Sequence, residues 1–180
     1  MKKIKVIGAS LLLVGAIMGS SLPAFADTVC TRNVIIGDVN HDHVVNSLDL
    51  AVLTSNIHYS TPEFNFIQQI AGNVNADDSI NQGDIDVLKD YLLGNITSLP
   101  AGSNYTIILG DVDGDSYVTQ DDKDLLQDFL LHTATLSVKQ RASADVNGDN
   151  ALDALDYSLM TQYLNGTILN FPACETNIVR

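Results

Sequence analysis

DVNHDHVVNSLD at residues 38–49, NVNADDSINQGD at 73–84, DVDGDSYVTQDD at 111–122 and DVNGDNALDALD at 145–156 are copies of one twelve-residue pattern, aligned without gaps. Each has Asp or Asn at its first, third and fifth positions. Each has an aliphatic residue at the eighth (Val45, Ile80, Val118, Leu152) and Asp at the twelfth (Asp49, Asp84, Asp122, Asp156). A single such segment would be an ordinary turn, because Asp and Asn crowd turns in any protein. Four in register, each leading into a helical pattern, make a repeat that governs the rest of the reading.

The spacing has a chemistry. A hard divalent cation takes six to eight oxygens at about 2.3–2.6 Å, and a loop of this length can wrap one. Calcium is the cation expected, up to four ions in all. Side chains at positions 1, 3 and 5 point inward: Asp38, Asn40 and Asp42; Asn73, Asn75 and Asp77; Asp111, Asp113 and Asp115; Asp145, Asn147 and Asp149. Position 7 contributes a backbone carbonyl, from Val44, Ser79, Tyr117 and Ala151. Position 9 acts through water (Asn46, Asn81, Thr119, Asp153), and the Asp at position 12 closes the site from the following helix. Ligand charge helps set affinity, so the second loop, with Asn73 first and only Asp77 and Asp84 ionised, is expected to bind weakest.

Two features depart from the common helix–loop–helix calcium site. Position 12 is Asp rather than Glu. Position 6, where a left-handed backbone usually calls for Gly, is His43, Asp78, Ser116 or Asn150, of which Ser116 is the least suited. The aliphatic residue at position 8 is expected on a short extended stretch that pairs with its counterpart in a neighbouring loop.

Amphipathic helices of about three turns follow the loops, with stripes at Leu50, Leu53 and Ile57, Ile85, Leu88 and Leu92, Leu125 and Phe129, and Leu159 and Tyr163. Gly94 and Gly166 stop the second and fourth of them. Between loops the spacing predicts shorter helices, one opening at Thr61-Pro62-Glu63 and one running from Val138 to Ala142 behind Ser137. The interval between the second and third loops is the longest and holds the linker-like run Ser98–Ser103. The fold expected is small and all-α, in two tandem modules near residues 34–100 and 105–172. Modules of this size bury little apolar surface, so metal should contribute to their folding.

Residues 1–26 combine Lys2, Lys3 and Lys5, an apolar run and Ala24-Phe25-Ala26, the pattern of a secretory signal peptide. Removing it would leave six basic residues against 22 acidic ones. That balance excludes a nucleic-acid binder, which needs clustered Lys and Arg. Membrane insertion is not expected either, since the apolar run is short for a bilayer. No nucleophile elbow or phosphate-binding loop occurs, and His41, His43, His58 and His132 lack metal-site spacing beyond the pair His41 and His43 that flanks Asp42, so no enzyme is expected.

Gly37-Asp38 to Asp49, and the three repeats aligned with it, have the form GDVNxDxxVNxxD followed by a helix, without the helix that precedes the loop in an EF-hand. This resembles the dockerin repeat, and four repeats amount to two tandem dockerins. The resemblance implies a secreted, non-catalytic adaptor of the cellulosome, binding cohesin modules of scaffoldins in the presence of calcium, with room for two at once. The alternative is a secreted calcium-binding structural or buffering protein with no cohesin partner. In the family, loop positions 10 and 11 and residues along the next helix meet cohesin. Only the first and last repeats place a small residue before an apolar one there, which selects Ser47, Leu48, Thr54 and Ser55, and Ala154, Leu155, Thr161 and Gln162. The family's arrangement also brings module ends together, so a disulfide between Cys30 and Cys174 is expected, two free thiols being the alternative.

Overall fold

The computed structural model describes Ile4–Lys5 and residues 30–61 and 63–174. Ile4–Lys5 form β1; the rest of the expected signal peptide lies outside the described residues. The elements then run β2 (Thr31–Ile35), α1 (Ser47–Tyr59), α2 (Phe66–Gly72), α3 (Gln82–Leu92), β3 (Asn104–Ile108), β4 (Tyr117–Val118), α4 (Gln120–Leu130), α5 (Val138–Ala144) and α6 (Ala154–Leu164).

Each long helix starts where its loop ends, and for a local reason. Position 9 of the loop is the N-cap, and the Asp at position 12 is the third helical residue that reaches back to the cap amide. Asn46 with Asp49, Asn81 with Asp84, Thr119 with Asp122 and Asp153 with Asp156 therefore form four capping boxes. One turn later, on the same face, stands the most enclosed side chain of each helix: Leu53, Leu88, Leu126 and Met160, all 0 % exposed. For α4 and α6 this corrects the expected stripe, since Leu125 and Leu159 are only partly buried.

The short helices repeat the same device. Ser137 caps α5 as expected. The cap of α2 is Asn65, in a box with Gln68, so this helix begins four residues later than Thr61 and Pro62 suggested. An Asn with Gln three residues on satisfies two free amides together, which outweighs a lone Pro signal.

The unanticipated element is a ribbon. β2 pairs antiparallel with β3, Thr31 opposite Ile108 and Ile35 opposite Asn104, with Asn33 and Thr106 at the centre. β2 leads into the first loop of one module and β3 into the first loop of the other, so the pairing is self-complementary about a pseudo-twofold axis. Thr106 Oγ1 donates to Asn33 Oδ1 at 2.8 Å at that centre. α2 packs on α5 across the same axis. Val34 and Ile107 carry the ribbon into one continuous apolar core shared by both modules. Leu99, in the run read as a linker, is buried, and the Ala101 amide donates to the Val74 carbonyl. The two modules are thus one packed body.

Cys30 and Cys174 form a disulfide, with Cα atoms 5.3 Å apart. Cys30 accepts from the Leu109 amide, and the Ala173 amide donates to the Val146 carbonyl. The bridge therefore ties the start of β2 to the carboxyl-terminal tail on the surface of the second module. Phe171 of that tail stacks on Tyr163.

Candidate metal centres

The four loops share a backbone scheme. Positions 4 and 6 both adopt left-handed φ: His41 and His43, Ala76 and Asp78, Gly114 and Ser116, Gly148 and Asn150. Position 6 was foreseen; position 4 was missed, because His41 and Ala76 hide the signal that Gly114 and Gly148 carry. These two turns curl the chain around the side-chain oxygen at position 1, a carboxylate in every loop but the second, where it is that of Asn73. Asp38 accepts from the amides of Asp42 and His43 at 3.1 and 3.0 Å. Asp111 accepts from Gly114 and Ser116, and Asp145 from Gly148 and Asn150.

The Asp at position 12 closes the loop from the other side. Asp49 accepts from Asn40 N and Asn46 N at 3.0 and 2.8 Å, and Asp84, Asp122 and Asp156 repeat this from their own loops. Asp122 and Asp156 also accept from the amides of Val112 and Val146. All four are 0 % exposed. Burial raises the carboxyls of Asp84, Asp122 and Asp145, and pushes Asp111 and Asp156 up to about 6. In Asp111 and Asp156 the neighbouring carboxylates add to that rise. A buried carboxylate beside other carboxylates calls for a cation.

The donor set fits calcium: only oxygens, converging in a small volume. Carboxylate oxygens of Asp38, Asp42 and Asp49 lie within 4.8 Å of one another, and so do those of Asp111, Asp113 and Asp122. Asp115 instead accepts from the Tyr117 amide. In the second loop Asp77 is held by amide donors, Ser79 N first and then Asn81 and Asn75, which keep this exposed carboxyl below the usual range. In the fourth loop Asn147 Nδ2 donates to Asp149 Oδ2 at 2.7 Å. The side chains at positions 1, 3, 5 and 12 would hold the ion, and the carbonyls of Val44, Ser79, Tyr117 and Ala151 stand at the seventh positions.

Position 8 behaves differently from expectation. Among the described residues no ladder joins it to another loop; Val118 pairs instead with Ile4. In the first three loops its side chain packs on the residue just before the loop. A Cβ on Gly37 would come within 2.9 Å of Val45, one on Gly72 within 3.3 Å of Ile80, and one on Gly110 within 3.0 Å of Val118. This explains the Gly that opens three of the four repeats.

The loops are neighbours across modules. Arg32, from β2, lines one cleft together with Asp38, His41 and His43 of the first loop and Gly148 and Asn150 of the fourth. A Cβ on Gly148 would lie 3.4 Å from the Arg32 guanidinium, whose charge partly offsets the rise at Asp145. Tyr105, which takes Arg32's place in β3, lines the opposite cleft with Ala76 and Asp78 of the second loop.

The residues expected at a partner surface start α1 and α6, the helices that follow the first and fourth loops. Leu48 and Leu155 are 59 % and 52 % exposed, beside exposed Ser47 and Ala154. Thr54 and Thr161 turn their hydroxyls onto the carbonyls of Leu50 and Tyr157, and Ser55 onto Thr61, while Gln162 donates to Ser158.

A sequence profile of the dockerin type I domain matches the chain twice, at residues 36–93 and 109–165. No curated protein sequence matches it.

Proposed function

Because the chain belongs to the dockerin type I family and carries two copies of the domain, we propose that it is a secreted adaptor that engages two cohesin modules through one rigid body. Dockerin domains bind calcium and dock onto cohesins, and the domain itself is non-catalytic. The observation that carries the adaptor reading is the pair of exposed apolar anchors, Leu48 on α1 and Leu155 on α6, each next to a small residue and one in each module. Exposed apolar side chains of this size, set on helices stiffened by capping boxes, suit the role of an aliphatic anchor buried in a partner's pocket. The equivalent positions of the other repeats hold Gly83 and Asp121, which are poor anchors.

The shared core shapes what such an adaptor does. The first and fourth loops line a common cleft, so cohesins seated beside them are held as neighbours in a set orientation. Fixed geometry favours scaffolds whose cohesins can both be reached, and two linked sites then gain about 10² to 10⁴ in avidity. Secretion is supported by the leader pattern of residues 1–26 and by the disulfide. No helix among the described residues is long and apolar enough to cross a membrane.

Native mass spectrometry of the calcium-loaded chain with a panel of cohesins tests the proposal. The expected species is one chain with two cohesins, lost in excess chelator. Leu48→Asp and Leu155→Asp should each weaken one of the two binding events by roughly 2 kcal/mol or more. A ceiling of one cohesin with every pair tried would refute the adaptor, and no binding at all would leave a calcium-binding structural protein.

A further inference from the structure

The cleft beside Tyr105 is the larger of the two symmetry-related ones, enclosing about 680 Å³ between the modules. That volume and that position, at an interface between packed units, are those of small-molecule sites. Two cations of α5 line it, Lys139 and Arg141. Arg141 lies 5.5 Å from the Phe66 ring with its Nε enclosed and without a hydrogen-bond partner, and Lys139 Nζ is 5.0 Å above the Tyr105 ring. Glu63 and Asp78 stand exposed at the rim, and neither meets these cations in an ion pair.

The fold does not require these charges. α2 is the pseudo-twofold mate of α5, and counting from their N-caps Ile67 occupies the place of Lys139 and Gln69 that of Arg141. Gln69 is satisfied, donating to the Phe64 carbonyl at 2.8 Å. One module therefore solves the same packing problem without a cation, while the other lines the cavity with two that have no carboxylate partner among the described residues.

We propose that this cavity binds a small organic carboxylate, its oxygens accepting from Arg141 and Lys139 and its apolar body lying against Tyr105. Ser137, which also lines the cavity, adds a hydroxyl at its edge. The site borders the second calcium loop, whose Asn73, Ala76 and Asp78 line it, but it does not include that loop's carboxylates Asp77 and Asp84 or the exposed anchors Leu48 and Leu155.

The test uses the calcium-loaded full chain titrated with benzoate and, as its neutral isostere, benzamide, followed through the amide resonances of Tyr105 and Ser137. Benzoate should give saturable shifts at millimolar concentration, and benzamide should bind at least about tenfold more weakly, the value of one charge-assisted hydrogen bond. Arg141→Gln and Lys139→Ile, which copy the mate helix and so preserve the fold, should each abolish the preference for benzoate. Equal binding of the two probes would overturn the proposal, as would benzoate binding that survives both substitutions, or no saturable shift with benzoate.

Discussion

Acidification should move the stability of this protein in opposite directions with and without calcium. In the metal-free chain Asp111 and Asp156 have carboxyls raised to about 6 by burial, while in the unfolded chain they titrate near the ordinary value of about 3.9. A raised folded-state value means that the folded state holds its proton more tightly. The resulting stabilisation is complete below the unfolded value and is lost as pH rises through the folded one. Between pH 7 and pH 5 each group should therefore return on the order of 1 kcal/mol to the metal-free fold, moving Tm upward by roughly 5 °C for the two together. Asp84, Asp122 and Asp145, raised for the same reason, act in the same direction. With calcium bound the sign reverses, because protons then compete with the metal for the same oxygens.

The assay is thermal unfolding followed by circular dichroism at both pH values, in excess calcium and in excess chelator. Where chelation at neutral pH unfolds the chain outright, the same difference appears as recovery of helical signal at pH 5. Relief of general repulsion in a chain of net charge −13 would give the same trend, so the control is the pair Asp111→Asn and Asp156→Asn. These substitutions should flatten the metal-free pH dependence, which simple charge relief would leave in place. Metal-free stability that falls on acidification, in parallel with the calcium-loaded protein, would refute the reasoning.

Other expected outcomes follow from particular contacts. Gly110→Ala places a Cβ 2.7 Å from the Phe171 ring at a φ of +87°, whereas Gly94→Ala, at a φ of +75°, meets nothing within 4 Å. Urea unfolding should show about 1 kcal/mol lost at Gly94 and about 2–4 kcal/mol at Gly110, the difference being overpacking. Reducing Cys30–Cys174, which closes a loop of 144 residues, should cost up to about 5 kcal/mol in the metal-free chain and less with calcium bound, read from chelated and loaded Tm values under reductant. Arg32→Gln removes a positive charge beside Asp145 and should tighten calcium binding at the fourth loop about fivefold, on the order of 1 kcal/mol, measured by calcium titration.

What the sequence by itself determined is everything that depends on neighbours along the chain. A ligand loop works through the spacing of its own residues, so Asp38, Asp42 and Asp49 converge whatever lies elsewhere. The same holds for the helices that begin at those loops, and for Gly94 and Gly166 ending two of them at positive φ. Even the capping boxes were legible, had positions 9 and 12 been read as N-cap and third helical residue as well as ligands. The tertiary structure alone decided how the two modules meet. TRNVI at 31–35 and NYTII at 104–108 are too short and too mixed in polarity to declare themselves strands, and neither has a hydrogen-bonding partner until the other, distant in sequence, arrives. Their pairing set the first loop beside the fourth and the second beside α5, brought Arg32 to Asp145, and drew Leu99 of an apparent linker into the core. Local spacing carries no record of such contacts, because a backbone ladder is made of groups that every residue possesses, and only burial of Val34 and Ile107 against one shared core selects the register.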